Sequence, residues 1–189
     1  MGKLKRDFYS APTLTLAREI LGKHLIHRTK DGILSGRIVE TEAYFGLDDQ
    51  ASHARFGYTP RSRLMFGPPG YAYIYFIYGM YHCLNVVTEQ PGMPAAVLIR
   101  ALEPVDGLEI MMRRRGRRSD LTNGPGRLCR ALGIDGSLNG IDLCGDQLYI
   151  EDRGEKVREI ASSPRVGISG GKEKNWRFYI KGNKYVSRR

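Results

Sequence analysis

KHLIHRTKDGILSGRIVETEAY, residues 23–44, decides how this chain is read. Two β-prone runs flank Lys30-Asp31-Gly32, and an Asp-Gly step between such runs is a strong short-range signal for a hairpin. Immediately upstream, PTLTLAREIL (12–21) sets Leu14, Ala17 and Leu21, with Leu16 and Ile20, at helical spacing, and Gly22 supplies a stop. The chain therefore opens with an amphipathic helix and passes into antiparallel strands.

Working outward, residues 45–70 carry Gly, Pro and polar residues without a sustained period, which predicts a long ordered loop; loops of that length in compact domains are usually functional. Beyond it, YAYIYFI, HCLNVVT and AAVLIRALE read as a three-stranded meander, the first two strands joined through Tyr78-Gly79-Met80, with Gly79 free to take positive φ. Asp106 is placed to cap a short helix running through Met112, followed by the basic run Arg113–Arg118, and NGPGRLCRALG predicts another helix ended by Gly133. Short β segments, QLYIE, RVGI and RFYIKG, fill the last third. The predicted class is α+β: a single domain over residues 1–189, with a curved, mostly antiparallel sheet, short flanking helices and a protruding β-hairpin.

Composition narrows the partners. The 189 residues include 30 Lys and Arg against 20 Asp and Glu, a formal charge of +10, which attracts polyanions and makes nucleic acid the leading partner class. No apolar run approaches the ~20 residues of a spanning helix. The N-terminal MGKLKRDFYS has neither a signal-peptide core nor a myristoylation pattern, so a cytoplasmic location is expected, nucleoid-associated in a bacterium. Cys83, Cys129 and Cys144 are odd in number and widely spaced, as for reduced thiols. The His82-Cys83 pair lacks metal-ligand spacing, so neither a metal nor another cofactor is expected.

Two features could carry chemistry. Alternation along RIVETEAY puts Glu40, Glu42 and Tyr44 on one face. Alone, that pattern fits a solvated sheet surface; it also fits a general base at a cleft, and spacing does not choose between the two glutamates. The stretch 71–85 holds five of the 11 tyrosines. Tyr71, Tyr73 and Tyr75 alternate and could simply cover a sheet. Tyr78, at a turn tip, loses burial unless something else receives its ring, and a base stack could do so.

RIVETEAY, the downstream His53, Thr59-Pro60-Arg61, IYGMYHCLN, LIRALEP and NGPGRLC occur in one order, and together they resemble the alkyladenine (3-methyladenine) DNA glycosylase family, the type with an antiparallel β core and no helix-hairpin-helix motif. The likeness spans nearly the whole chain. It implies a monofunctional glycosylase that extrudes an alkylated or deaminated purine from double-stranded DNA and hydrolyses its N-glycosidic bond. Glu42 would activate the water, assisted by Arg100, and no lysine in the matched motifs stands beside Glu42 to act as an amine nucleophile. Tyr44, His53, Tyr75 and Asn85 would form the base pocket, while Tyr78, Met80 and Tyr81 would enter the gap in the duplex. Thr59 and Arg61 would contact the DNA backbone. His82 departs from the aromatic residue usual at its place in the motif, and the Arg113–Arg118 run matches no family motif, leaving general phosphate attraction or a solvated helix end. A monomer is the economical expectation. The competing class is a noncatalytic nucleic-acid module that stacks single-stranded bases on its tyrosines and is indifferent to Glu42.

Overall fold

The computed structural model describes residues 2–187. Its strands form one open, antiparallel, nine-stranded sheet, with four α-helices and three short 3-10 turns set around it. β1 (Gly2–Lys3), β7 (Leu148–Asp152), β2 (His24–Thr29), β3 (Gly32–Phe45), β6 (Ala95–Asp106), β5 (Tyr81–Val87) and β4 (Ala72–Ile77) lie side by side in that order. β9 (Arg177–Ile180) pairs with the second half of β3 and with β8 (Ile160–Ser163). The Asp-Gly hairpin closes as expected, Thr29 opposite Gly32.

β3 is the spine. At 14 residues it pairs with β2 and then β9 along one edge and with β6 along the other. The β3–β6 register slips between Ile38 and Glu40 and again between Glu40 and Thr41, leaving Val39 and Arg100 without an opposite number. Bulges of this kind bend a strand and re-aim its side chains. Ile38 and Val39, and across from them Ala101 and Leu102, all enter the main core, whereas Glu40, Glu42 and Arg100 turn to the other face.

The main core lies between the sheet and the helices. α2 (Thr13–Glu19) buries Leu16 and Ala17, and Thr41 Oγ1 fixes it to β3 by donating to Ala17 O at 2.7 Å. α4 (Pro125–Leu132) buries Leu128, Cys129, Ala131 and Leu132 and ends at Gly133, φ +70°. A smaller cluster, Ala54, Met65, Tyr73, Val87 and Ala96, seats the 45–70 loop, whose 3-10 turns span His53–Phe56 and Arg63–Phe66.

Two expectations are corrected. Asp106 does not cap the helix after it: it ends β6 and accepts from Ser35 Oγ at 2.5 Å, and α3 (Leu108–Arg115) starts instead from Gly107 and reaches into the arginine run. At Gly107, φ is +78° and a Cβ would lie 2.5 Å from Leu34 Cδ2, so a glycine is needed there. RVGI (165–168) is not a strand, because the Val166 amide goes to a carboxylate rather than a ladder; the strand in this region is β8. Tyr71, one residue before β4, lies under the Arg6 guanidinium at 4.7 Å and packs, like Tyr75, on the cluster that holds Tyr73, so the expected alternation is kept. Among the described residues, no helix is long and apolar enough to cross a membrane.

Candidate active site

Glu40 and Glu42 have no exposed surface, which rules out the solvated-face reading for both. Buried carboxylates require partners, and the two are served differently. Glu40 accepts from Arg100 Nε (2.8 Å), Arg177 Nε (2.7 Å), the Ser187 amide (2.7 Å) and the Ser187 hydroxyl (2.9 Å). Burial pushes its carboxyl up, but Arg100, Ser187 and Arg177 together outweigh burial and hold it below the usual carboxylate value. It thus accepts four hydrogen bonds, three on Oε1 and one on Oε2.

Glu42 accepts three hydrogen bonds: Val166 N to Oε1 at 2.7 Å, and Tyr44 Oη and Arg100 Nη1 to Oε2 at 2.7 and 3.3 Å. One acceptor position on Oε1 stays open. Burial dominates here and raises the carboxyl above its ordinary value, although Arg100, the Val166 amide and Tyr44 each oppose the rise. The pair that sequence spacing left equivalent is thus divided into a four-bonded carboxyl held low and a three-bonded, more basic one.

In front of Glu42 lies a cavity of about 430 Å³. Tyr44, Arg100 and Val166, the three partners of Glu42, all line it, so the acid sits immediately behind its wall. His53, Tyr75 and Asn85 line it too, so the predicted pocket residues converge as a group. The His53 and Tyr75 rings meet edge to face with centroids 4.6 Å apart, and His53 Nδ1 bonds Tyr73 Oη at 2.7 Å. Burial, with Arg61 adding to it, pushes the His53 imidazole down to about 4, so the ring is neutral at physiological pH. Asn85 Nδ2 donates to the carbonyls of Tyr73 (3.0 Å) and Cys83 (3.4 Å), which orients its amide and leaves Oδ1 for the cavity.

Above the cavity stands the β4–β5 hairpin. Met80 N donates to Ile77 O at 3.2 Å, and both central residues have positive φ, +54° at Tyr78 and +66° at Gly79, as in a type I′ turn. Gly79 suits this conformation; for a bulky L-residue such as Tyr78 it is strained, and strain of this kind is concentrated at functional sites. The Tyr78 side chain is 75% exposed and Met80 64%. Tyr78 and Tyr81 line the cavity mouth, whereas Met80 stands at the tip. His82 packs against Phe76, ring centroids 4.9 Å apart.

On the 45–70 loop, the exposed Arg61 guanidinium lies 5.2 Å over the Tyr75 ring. Thr59 Oγ1 is engaged with Ser62 Oγ at 2.8 Å and caps the Ser62 amide, so its hydroxyl organises the turn.

Sequence reasoning missed a second buried pair. Arg165 and Asp49 have fully buried side chains joined by two 2.7 Å bonds, and Arg165 also donates to Ala43 O at 2.9 Å while lying over the Tyr44 ring at 4.7 Å. This clamp ties the 45–70 loop to the segment that delivers the Val166 amide to Glu42. Asp49 follows the ETEAY stretch closely, but no spacing linked it to Arg165. Among the described residues no three His, Cys, Asp or Glu side chains are grouped to hold a metal.

Comparison with known proteins gives one consistent result. A sequence model of the methylpurine-DNA glycosylase family matches residues 7–184. A protein of Methanocella arvoryzae provisionally named 3-methyladenine DNA glycosylase is 51% identical over 196 residues, covering 100% of this chain and 98% of its own length. Proteins of the same provisional name from Alkaliphilus oremlandii and Desulfitobacterium hafniense are 48% and 47% identical over 201 residues, with 99% of this chain covered in each case and 100% and 99% of their own lengths.

Proposed function

The chain belongs to the methylpurine-DNA glycosylase family, and we propose that, as a DNA-repair hydrolase of N-glycosyl bonds, it extrudes a damaged purine into the Tyr44–His53–Tyr75 cavity and cleaves it with a water activated by Glu42. The observation that carries this reading is the open acceptor position of a buried, raised-pKa carboxyl directly behind an aromatic cavity.

A volume of about 430 Å³ falls within the roughly 300–1,000 Å³ typical of small-ligand pockets and accepts a purine. Extrusion costs a few kcal/mol, less for a damaged base, and the exposed Tyr78 ring, offered at the cavity mouth, would fill the vacated position and offset part of that cost. Tyr75 and the neutral His53 supply apolar and π surface to the base; electron-rich tyrosine faces favour a cationic alkylated purine over a neutral one. The Asn85 side chain, fixed by two carbonyls, lines the pocket and would exclude normal guanine by its bulk.

In the chemical step the C1′–N bond breaks, its electron pair leaving with the purine, and C1′ acquires oxocarbenium character. Water oxygen bonds to C1′ and its proton passes to Glu42. An ionised Glu42 both stabilises the developing positive charge and accepts the proton. Burial makes the carboxyl more basic, while Arg100, the Val166 amide and Tyr44 each favour its ionised form. A noncatalytic stacking module would have no use for this arrangement.

The test is base release from duplex DNA carrying a single 3-methyladenine, 7-methylguanine, hypoxanthine or ethenoadenine. Free base from at least one substrate, with an abasic strand left intact until alkali treatment, is the expected outcome. A folded protein that releases none of the four overturns the proposal.

A further inference from the structure

The basic run at 113–118 is divided by the fold. Arg114 turns toward the β2–β3 hairpin, pairs with Asp31 at 3.0 Å and lies where a Cβ on Gly133 would meet its Nη1 at 2.4 Å. Arg117 pairs with Asp120 at 3.2 Å. Arg115, one residue beyond Arg114 and so about 100° further round the helix, faces α4. There Arg130 Nε donates to the Arg114 carbonyl at 3.1 Å, and Arg127, three residues earlier, shares its helix face.

None of these last three arginines has a carboxylate partner among the described residues. Arg115 Nη2 bonds the Asp120 carbonyl (3.4 Å), Arg127 Nη1 the Asn123 side-chain oxygen (2.9 Å) and Arg130 the Arg114 carbonyl. Elsewhere Arg6, Arg37 and Arg153 each find an acid. Arg115 Nε is buried with no acceptor at all. Burial first, and then the neighbouring guanidiniums of Arg127, Arg117 and Arg130, make the Arg115 charge less favourable than that of an isolated arginine. Like charges gathered this closely oppose folding, and a polyanion would relieve them.

The location specifies the polyanion. Gly126, adjoining Arg127, receives the Tyr81 ring so closely that a Cβ would lie 2.7 Å from it, and Tyr81, Pro125 and Gly126 all line the cavity mouth. The arginines therefore border the hairpin that carries Tyr78. Arg55, also on the cavity lining, belongs to the separate 45–70 loop.

We infer that Arg115, Arg127 and Arg130 form a phosphate-gripping surface for duplex DNA beside the Tyr81 flank of the hairpin, distinct from the arginines of the 45–70 loop. The inference rests on the proposed action on DNA. On this reading the basic run holds the duplex, damaged or not, while the hairpin probes it.

The experiment is a titration of undamaged duplex over a NaCl series, comparing the full chain with the combined variant Arg115→Gln, Arg127→Gln, Arg130→Gln and with Arg153→Gln, an arginine already paired with Glu151, as the control. Each lost phosphate contact flattens the slope of log K against log salt by about 0.9. The combined variant should lose about 2–3 from the slope and bind about tenfold or more weakly at low salt, while the control keeps the slope of the full chain. An unflattened slope overturns the surface. Removal of a self-repelling cluster should leave the melting temperature equal or higher; a lower one assigns the arginines to the fold and also overturns it. Base release by the unaltered protein tests the function separately: release with an unflattened slope removes only the surface, whereas flattening without release removes only the enzyme reading.

Discussion

Glu40 and Glu42, two residues apart on β3, share the guanidinium of Arg100 at 2.8 and 3.3 Å, yet their carboxyls move in opposite directions, Glu40 below and Glu42 above the ordinary value. The difference lies in the remaining donors. Glu40 is enclosed by Arg177 and Ser187, whereas Glu42 has one amide and one phenol and keeps an open position.

Glu42→Gln should therefore reduce base release by about 10²–10⁴-fold, the usual worth of a general base, while lesion-duplex affinity changes only a few-fold. Single-turnover release and a binding titration on the same duplex check this. Near-normal release by the variant would take Glu42 out of the chemistry.

A base whose pKa is raised gives an acid limb in the pH–rate profile above the ordinary carboxylate value of 4.5. Arg100 pulls Glu42 down, so Arg100→Gln should move that limb to still higher pH, in addition to slowing the reaction. Single-turnover rates from about pH 4 to 8 give the comparison; an unmoved limb would show that a different group titrates.

Glu40 should instead govern stability. Its folded pKa is depressed, so its contribution is present above the unfolded value near 4.5 and is lost as pH falls through the lower folded value. Glu40→Gln leaves Arg177 and Arg100 short of a buried carboxylate and should cost about 3–5 kcal/mol at neutral pH. Its melting temperature should also fall less than that of the unaltered protein when the pH is lowered below 4.5. Denaturant and thermal melts against pH measure both effects.

Tyr78 holds a positive φ that Asn tolerates far better, and its ring is 75% exposed, so little packing is lost on replacement. Tyr78→Asn should stabilise the fold by about 1 kcal/mol, since a left-handed conformation costs roughly that much in a bulky residue. The same change should weaken binding to lesion duplex. A variant that melts lower, or binds lesion DNA undiminished, contradicts a wedge role.

Asp49→Ala would strand the Arg165 guanidinium in the interior at about 3–5 kcal/mol and loosen the segment that presents the Val166 amide to Glu42. Asp49→Glu, which keeps the charge, should recover most of the stability by thermal melt. If Asp49→Ala is as stable as the unaltered protein, the pair is not a clamp.

Much of the fold was legible because it depends on local pattern. Asp31-Gly32, the alternation through β4, β5 and β6, and Gly133 at the end of α4 act over a few residues, and each appears where the sequence puts it. Errors arose where a distant partner outbid a local preference. Asp106 could have capped a helix but binds Ser35 across the sheet, and the β-prone RVGI gives its Val166 amide to Glu42.

The chain by itself determined the antiparallel class, the hairpin with its exposed tip, and the residue types around the cavity, because periodicity, turn chemistry and ordered motifs are properties of neighbours along the backbone. Only the tertiary structure decided which glutamate has more donors and which is left more basic, that Asp49 meets Arg165, and which arginines of the basic run lack acids. Those outcomes depend on burial and on donors brought from β9, from the segment after β8 and from Ser187, and a carboxylate's protonation reflects all the charges and dipoles around it in space.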